Sequence, residues 1–151
     1  MSGEILFLAH RVPYPPNRGD KIRSWHLLRT MAQIAPVHVC ALWDDERDLE
    51  HLDFLRTVAA SVQVEPVNPS KLSAMARALF TGNSASVSAC WNPKLVTCVN
   101  QVLLQRPIKT IFAFSGQMAQ FVPEDRGNRR FVMDFVDMDS AKFEAFGGFA
   151  N

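Results

Sequence analysis

The residues best suited to chemistry lie in one basic, proline-rich segment, His10 to Arg23, which reads HRVPYPPNRGDKIR. It follows an apolar run and precedes a segment of helical periodicity, which predicts a loop between a strand and a helix. The prolines stiffen this loop, and Gly19 is expected to adopt a backbone conformation that other residues resist. Amide groups at the helix start, where Asp20 lies, suit a phosphate or carboxylate. The surrounding cations are Arg11, Arg18, Lys21 and Arg23.

Two interpretations of this loop are open. In the first, Arg18, Gly19, Asp20, Lys21 and Arg23 bind an anionic substrate. In the second, the prolines make a rigid loop whose basic side chains are simply solvated. The lone glycine matches neither the GxGxxG fingerprint nor a Walker P-loop.

A second candidate set follows the apolar run TIFAF, where Ser115 and Gly116 lie at a strand end. A small hydroxyl residue and a glycine permit close approach by a ligand or a neighbouring segment. The alternative is an ordinary turn in which Ser115 caps a helix.

The third candidate set is the acidic segment DFVDMDS, residues 134–140. Carboxylates there accept hydrogen bonds from sugar hydroxyls or act as proton acceptors, and we name Asp134 and Asp137 as candidate catalytic residues. Asp139 and Ser140 are candidate substrate-binding residues, although either is equally suited to cap a helix.

Asp134 also poses a structural question, because it falls within or at the end of an apolar run. A buried carboxylate needs a partner, and an arginine such as Arg23 or Arg130 would provide one.

Elements that would position these loops alternate along the chain, as in a parallel sheet with crossover helices. The fold class expected is α/β, a Rossmann-like, doubly wound, mostly parallel sheet flanked by helices. The predicted strands are Glu4–Ala9, Val37–Leu42, Val62–Val67, Thr110–Phe114 and Arg130–Phe135. Helices are predicted between the first two strands, after Asp44 or Asp45, over Ser70–Phe80, after Asn92 and from Asp139.

Charge and composition exclude several classes of function. A net charge of +1 argues against whole-domain nucleic-acid binding. The opening apolar run is too short for a secretory signal or a membrane span, which predicts a cytoplasmic protein. Neither the three cysteines nor the four histidines show metal-ligand spacing, so no metal is expected and the thiols are expected to be buried and reduced. The acidic run Asp44–Asp53 is interpreted as a solvated helix face.

The whole chain, residues 1–151, is predicted to form a single domain, since no repeat or linker divides it. Its last predicted helix stops soon after it starts, which suggests a chain cut from a longer protein.

The segments ILFLAHRVPYPPNRGDKIRSWHLLRTMA and FVMDFVDMDSAKFEAF resemble the start and end of the amino-terminal domain of family 4 glycosyltransferases. More narrowly, they are similar to bacterial sugar transferases associated with exopolysaccharide loci. The resemblance implies a GT-B architecture, in which this acceptor-side domain faces a carboxyl-terminal domain that holds the nucleotide sugar.

By the same resemblance, the loop around Gly19 approaches the donor diphosphate, the reaction retains anomeric configuration, and no cofactor or metal is needed. Arg18→Ala or Lys21→Ala would then weaken the interaction of the enzyme with the donor diphosphate without unfolding the domain. The acceptor is a saccharide or a lipid-linked sugar, and Tyr14 and Trp25 beside the loop leave open a peripheral contact with the membrane. The isolated domain would be nearly inactive.

The sequence departs from the family in one respect, because DFVDMDS lacks the histidine that many members carry after a late strand. Either Asp134 or Asp137 takes the role of that histidine, or this protein has no residue in that role. Two other classes of function remain open: a self-contained module that binds a nucleotide or phosphorylated metabolite, and a catalytically silent interaction domain.

Overall fold

The structure, a computed structural model, describes residues 3–67, 79, 80, 82 and 90–135. Its elements are β1 (Glu4–Ala9), α1 (Gly19–Ala32), β2 (Val37–Trp43), a first 3₁₀ helix (Glu46–His51), α2 (Leu52–Val58), β3 (Ser61–Pro66), α3 (Pro93–Gln105), β4 (Ile108–Phe114), a second 3₁₀ helix (Gly116–Phe121) and β5 (Arg130–Asp134). Each strand begins and ends within two residues of its predicted bounds. The helices predicted over Ser70–Phe80 and from Asp139 lie outside the described residues, except for residues 79 and 80.

The five strands form one sheet in the order β3-β2-β1-β4-β5, and all neighbouring pairs are parallel. The chain adds strands outward from β1 on one side and then crosses to the other side to place β4 and β5. This change of direction creates a topological switch point between β1 and β4. The α/β, Rossmann-like, doubly wound fold is therefore confirmed.

Both faces of the sheet are covered, and the alternation along β1 shows how. Leu6 and Leu8 belong to a core cluster that includes residues of α3, whereas Phe7 and Ala9 belong to a cluster with residues of α1 and α2. Because successive side chains of a strand point to opposite faces, a strand buried on both sides must be mostly apolar. This requirement explains the uninterrupted apolar runs of the sequence.

Capping residues set the starts of two helical segments as the sequence predicted. The Asn92 side chain accepts a hydrogen bond from the Lys94 amide at 2.8 Å, and Pro93 is the first residue of α3. The Asp45 side chain accepts one from the Arg47 amide at 3.0 Å. The first turns after Asp45 are a 3₁₀ helix rather than the predicted α-helix, which begins only at Leu52. Within the described ranges, no helix has the length and apolarity that a bilayer span requires.

A polar network joins the amino-terminal ends of the first three strands. The Glu4 carboxylate lies 2.7 Å from His38 Nε2 and accepts a hydrogen bond from Arg106 Nε at 2.8 Å. The other ring nitrogen of His38 lies 2.7 Å from Ser61 Oγ. Hydrogen bonding to Arg106 is the main reason why the pKa of Glu4 lies below its usual value of 4.5, and it outweighs the opposing effect of burial.

This network makes stability depend on pH. A carboxyl with a lowered folded pKa stabilises the fold above its unfolded pKa, and that contribution is lost as the pH falls through the folded value. We expect Glu4→Gln to lower the urea midpoint at pH 7, and the gap from the wild-type chain to shrink near pH 3. Glu124→Gln, at an exposed site, serves as the control. A gap of constant size across this pH range would rule out the Glu4 network as its source.

Candidate functional site

The candidate site lies at the carboxyl edge of the sheet, at the ends of the paired strands β1 and β4. Ala9 pairs with Phe114 in the register of these two strands, so His10 and Ser115 are the first residues beyond the paired strands. Phe114 in turn pairs with Asp134 at the end of β5. Three neighbouring strand ends therefore bring His10, Ser115 and Asp134 to one edge, where open parallel sheets bind their ligands.

His10 is held in a defined orientation by two neighbours. Its Nε2 lies 3.2 Å from Asp20 Oδ2, and its ring stacks on Phe114 with the centroids 5.9 Å apart. Burial lowers the pKa of His10 below its usual value of 6.5, against the opposing effect of the Asp20 charge. The imidazole is therefore neutral at pH 7, a state in which it can accept or donate a proton.

Ser115 adopts a backbone conformation with φ 88° and ψ 148°, which L-amino acids rarely occupy. It lies at the N-cap position of the second 3₁₀ helix, but its side chain makes no capping hydrogen bond. The residue is 9% exposed, and its hydroxyl has no hydrogen-bond partner among the described residues. The interpretation of Ser115 as a helix cap is therefore wrong. A strained backbone together with a buried hydroxyl that lacks a partner in the described structure is typical of a functional position.

Asp134 is paired with Arg23, one of the two arginines suggested by the sequence. Arg23 Nη2 donates to both carboxylate oxygens, at 3.1 and 2.8 Å. The Ser115 amide donates to the Asp134 carbonyl at 3.0 Å, which joins this pair to the end of β4. Asp134 therefore has the structural partner that a largely buried carboxylate needs, and it must separate from Arg23 before it acts as a free base.

Lys21 does not face the open edge of the sheet. Its ammonium donates to Asp48 Oδ1 at 2.8 Å, and the two residues are 3% and 5% exposed. Two predictions are corrected by this contact. The acidic run is not wholly a solvated helix face, and the ammonium of Lys21 is already neutralised by a buried carboxylate rather than available to a substrate.

Arg11 is also engaged with carboxylates. Its Nε lies 3.1 Å from Asp20 Oδ2, and its Nη1 lies 3.0 Å from Asp44 Oδ2. Asp20 thus contacts both His10 and Arg11 from the first turn of α1. Most of the positive charges of the basic loop are therefore paired with carboxylates of the same chain. The number of cations in the sequence did not predict this pairing.

Arg18 and Gly19 form the open part of the loop. The Arg18 side chain is 56% exposed, and its Nε lies 3.9 Å from Asp20 Oδ1. A Cβ built on Gly19 would meet no atom of the described chain within 4 Å, and the residue does not adopt a positive φ. The expectation that Gly19 needs a special backbone conformation is therefore wrong. Among the described residues there is no steric reason for a glycine here, and the space next to Gly19 is open in that part of the structure.

The remaining predicted residues divide into two groups. Gly116 begins the second 3₁₀ helix, and a Cβ there would lie 3.8 Å from the ring of Phe135, an ordinary contact. Asp137, Asp139 and Ser140 lie outside the described residues.

His10 is the residue that the sequence predictions missed, since it was considered only as a metal ligand or as the start of the loop. Its position directly after the first strand was the signal that could have identified it. Among the described residues, no group of three histidines, cysteines or acids is placed to hold a metal ion. Burial raises the pKa of the Cys40 thiol to about 12, which keeps it protonated and unreactive.

The site thus consists of a neutral imidazole, a buried hydroxyl without a partner among the described residues, a paired carboxylate, and an open arginine and glycine at a helix start. No family model, curated protein or solved structure matches this chain.

Proposed function

We propose that this chain is the amino-terminal, acceptor-side domain of a GT-B glycosyltransferase of the family 4 type. The full protein would move a sugar from a nucleotide-sugar donor to a saccharide or lipid-linked acceptor in polysaccharide biosynthesis. The observation that carries the proposal is the open Arg18–Gly19 segment at the start of α1, beside the switch point of the sheet. The resemblance of the two end segments of the sequence to that family supports it.

The positions of the two open residues suit a donor diphosphate. The start of a helix carries a partial positive charge, and Arg18 adds a guanidinium that is largely exposed. A ligand held there from a second domain would lie close to Gly19, where a side chain would intrude. Stabilisation of the departing diphosphate by these groups is electrostatic and needs no metal.

His10 and Ser115 fit the acceptor side of this proposal. Both lie at the switch point, and the buried Ser115 hydroxyl lacks a partner within the described structure. An acceptor hydroxyl group would give it one. The neutral His10 imidazole, oriented by Asp20, supplies a proton acceptor or donor that Asp134 does not while Arg23 holds it.

Gly19→Ala tests the proposal most directly. Because a Cβ at this position meets no atom of the described chain, we expect the free energy of unfolding to change by less than about 1 kcal/mol. The kcat/KM for the nucleotide sugar of the full-length enzyme should fall by about tenfold or more, since the methyl group displaces the diphosphate. Arg18→Ala should act in the same direction, and Arg56→Ala, an exposed arginine on α2, is its control.

Three outcomes would contradict the proposal. The first is unchanged donor kinetics in both Gly19→Ala and Arg18→Ala. The second is robust sugar transfer by the 151-residue chain alone, because half of the proposed site belongs to another domain. The third is tight binding of a nucleotide or phosphorylated metabolite by this chain alone, which would favour a self-contained binding module.

A further inference from the structure

A second concave surface lies at the edge of the sheet opposite to the candidate site. It is a cavity of about 320 Å³ between the segment Arg106–Lys109, which leads into β4, and the segment Arg126–Arg129, which leads into β5. Since β4 has seven residues, about 20 Å separates this cavity from the carboxyl end of that strand. It is therefore distinct from the switch-point site.

The cavity is strongly cationic. Its described lining residues include no acid, and half of them carry a positive charge. These four are Arg106, Lys109, Arg126 and Arg129. Such a concentration of like charge is unfavourable unless counter-charges lie close to it.

Only one of these cations has a carboxylate partner in the described part of the chain. Arg106 pairs with Glu4, but no carboxylate lies within 4.0 Å of the cationic groups of Lys109, Arg126 or Arg129 there. Asp125 is the nearest acid along the chain, and its carboxylate instead accepts the Gly127 amide at 3.0 Å. These three residues therefore line the cavity without a carboxylate partner among the described residues.

The two guanidinium groups on the β5 side are held in place by neutral contacts. Arg129 Nη2 donates to the Leu103 carbonyl at 3.0 Å, while its Nε is buried without an acceptor among the described residues. The Arg126 guanidinium lies 5.2 Å from the centroid of the Phe131 ring. These contacts orient the two guanidinium groups and leave each without a carboxylate among the described residues, so an anion is a suitable ligand for them.

We propose that this cavity binds a phosphoryl group. Guanidinium groups present paired N–H donors that match the geometry of phosphate oxygens, and Lys109 adds a flexible point charge. The volume of about 320 Å³ falls in the range of small-molecule sites and exceeds what a bare phosphate fills. The phosphoryl group thus belongs to a larger molecule, either a soluble phosphorylated metabolite or a phospholipid at a bilayer surface.

The test is a titration of the chain with inorganic phosphate at constant ionic strength, followed by amide NMR shifts. Shifts are expected to concentrate in residues 106–109 and 126–129. Arg126→Gln and Lys109→Gln, both at exposed positions, should each weaken the apparent affinity by about tenfold. Lys94→Gln removes the same charge at the other end of α3 and should leave the affinity unchanged.

The source of the phosphoryl group is settled by a second arm. The chain is sedimented with phosphatidylcholine vesicles that contain phosphatidic acid and, separately, with vesicles of phosphatidylcholine alone. Binding to the first vesicles only, abolished by Arg126→Gln, identifies a lipid source. Shifts with inorganic phosphate and no vesicle binding identify a soluble ligand. The proposal is overturned if neither NMR shifts with inorganic phosphate nor vesicle binding is seen. It is also overturned if Lys94→Gln weakens the affinity as much as Arg126→Gln does.

Discussion

Replacement of Lys21 by methionine is expected to lower the free energy of unfolding by about 3–5 kcal/mol. The reason is the buried ion pair with Asp48, whose two charged atoms are 2.8 Å apart. Methionine fills much of the lysine stem but leaves the Asp48 carboxylate buried without its cation. Urea denaturation followed by circular dichroism measures the change, and Lys94→Met, on the exposed start of α3, controls for loss of a lysine.

The double variant Lys21→Met with Asp48→Leu separates structure from function. Replacing a buried pair by apolar residues of similar volume is often neutral, so most of the lost stability should return. If the stable double variant also keeps its donor kinetics in the proposed full-length glycosyltransferase, Lys21 has only a structural role. If it loses donor binding, the earlier expectation for Lys21 is restored. A single variant as stable as the wild-type chain would show that the pair does not form.

Ser115→Gly is expected to raise the free energy of unfolding by about 1–2 kcal/mol. Glycine accommodates the observed φ of 88° without strain, and the change also removes a buried hydroxyl that has no partner among the described residues. Ser115→Ala is the matched control, because it removes the hydroxyl but keeps a Cβ at the strained position. The difference between the two variants in urea denaturation isolates the backbone strain.

The same two variants test the role of the hydroxyl. A stabilising change that lowers activity is the expected signature of a residue kept for function. In the proposed full-length glycosyltransferase, both variants should lower kcat/KM for the acceptor by about tenfold, since each removes the hydroxyl that the proposal places against it. Unchanged acceptor kinetics would assign Ser115 to the fold alone, and a less stable Ser115→Gly would show that its conformation is not strained.

Much of the fold could be predicted because its cause is local. The central strands β1 and β2 are buried on both faces, and the resulting apolar runs are visible without any knowledge of their partners. The start of α3 was equally predictable, since Asn92 caps it through an amide only two residues away. The ends of β1, β4 and β5 were predicted from the apolar runs of these strands, and the three candidate loops follow those ends.

The pairing within those loops was less predictable, because it depends on contacts between distant segments. Asp134 and Arg23 are 111 residues apart, and only the need of a buried carboxylate for a partner pointed to such a pair. Nothing local distinguishes Lys21 from Arg18, yet one ammonium is buried against Asp48 and the other side chain is open. Which cation stays exposed is decided by the tertiary contact between Lys21 of α1 and Asp48 of the first 3₁₀ helix.

The sequence by itself determined an alternating α/β chain whose chemistry-bearing residues follow its strands, since hydrophobic periodicity and capping act over a few neighbouring residues. Only the tertiary structure decided which charges cancel and which groups remain unpaired. It placed His10 beside Ser115 at the switch point, and it gathered Arg106, Lys109, Arg126 and Arg129 around a cavity at the opposite edge. The physical reason is that the order of strands in a sheet, and the ion pairs across it, arise from packing between segments far apart in the chain.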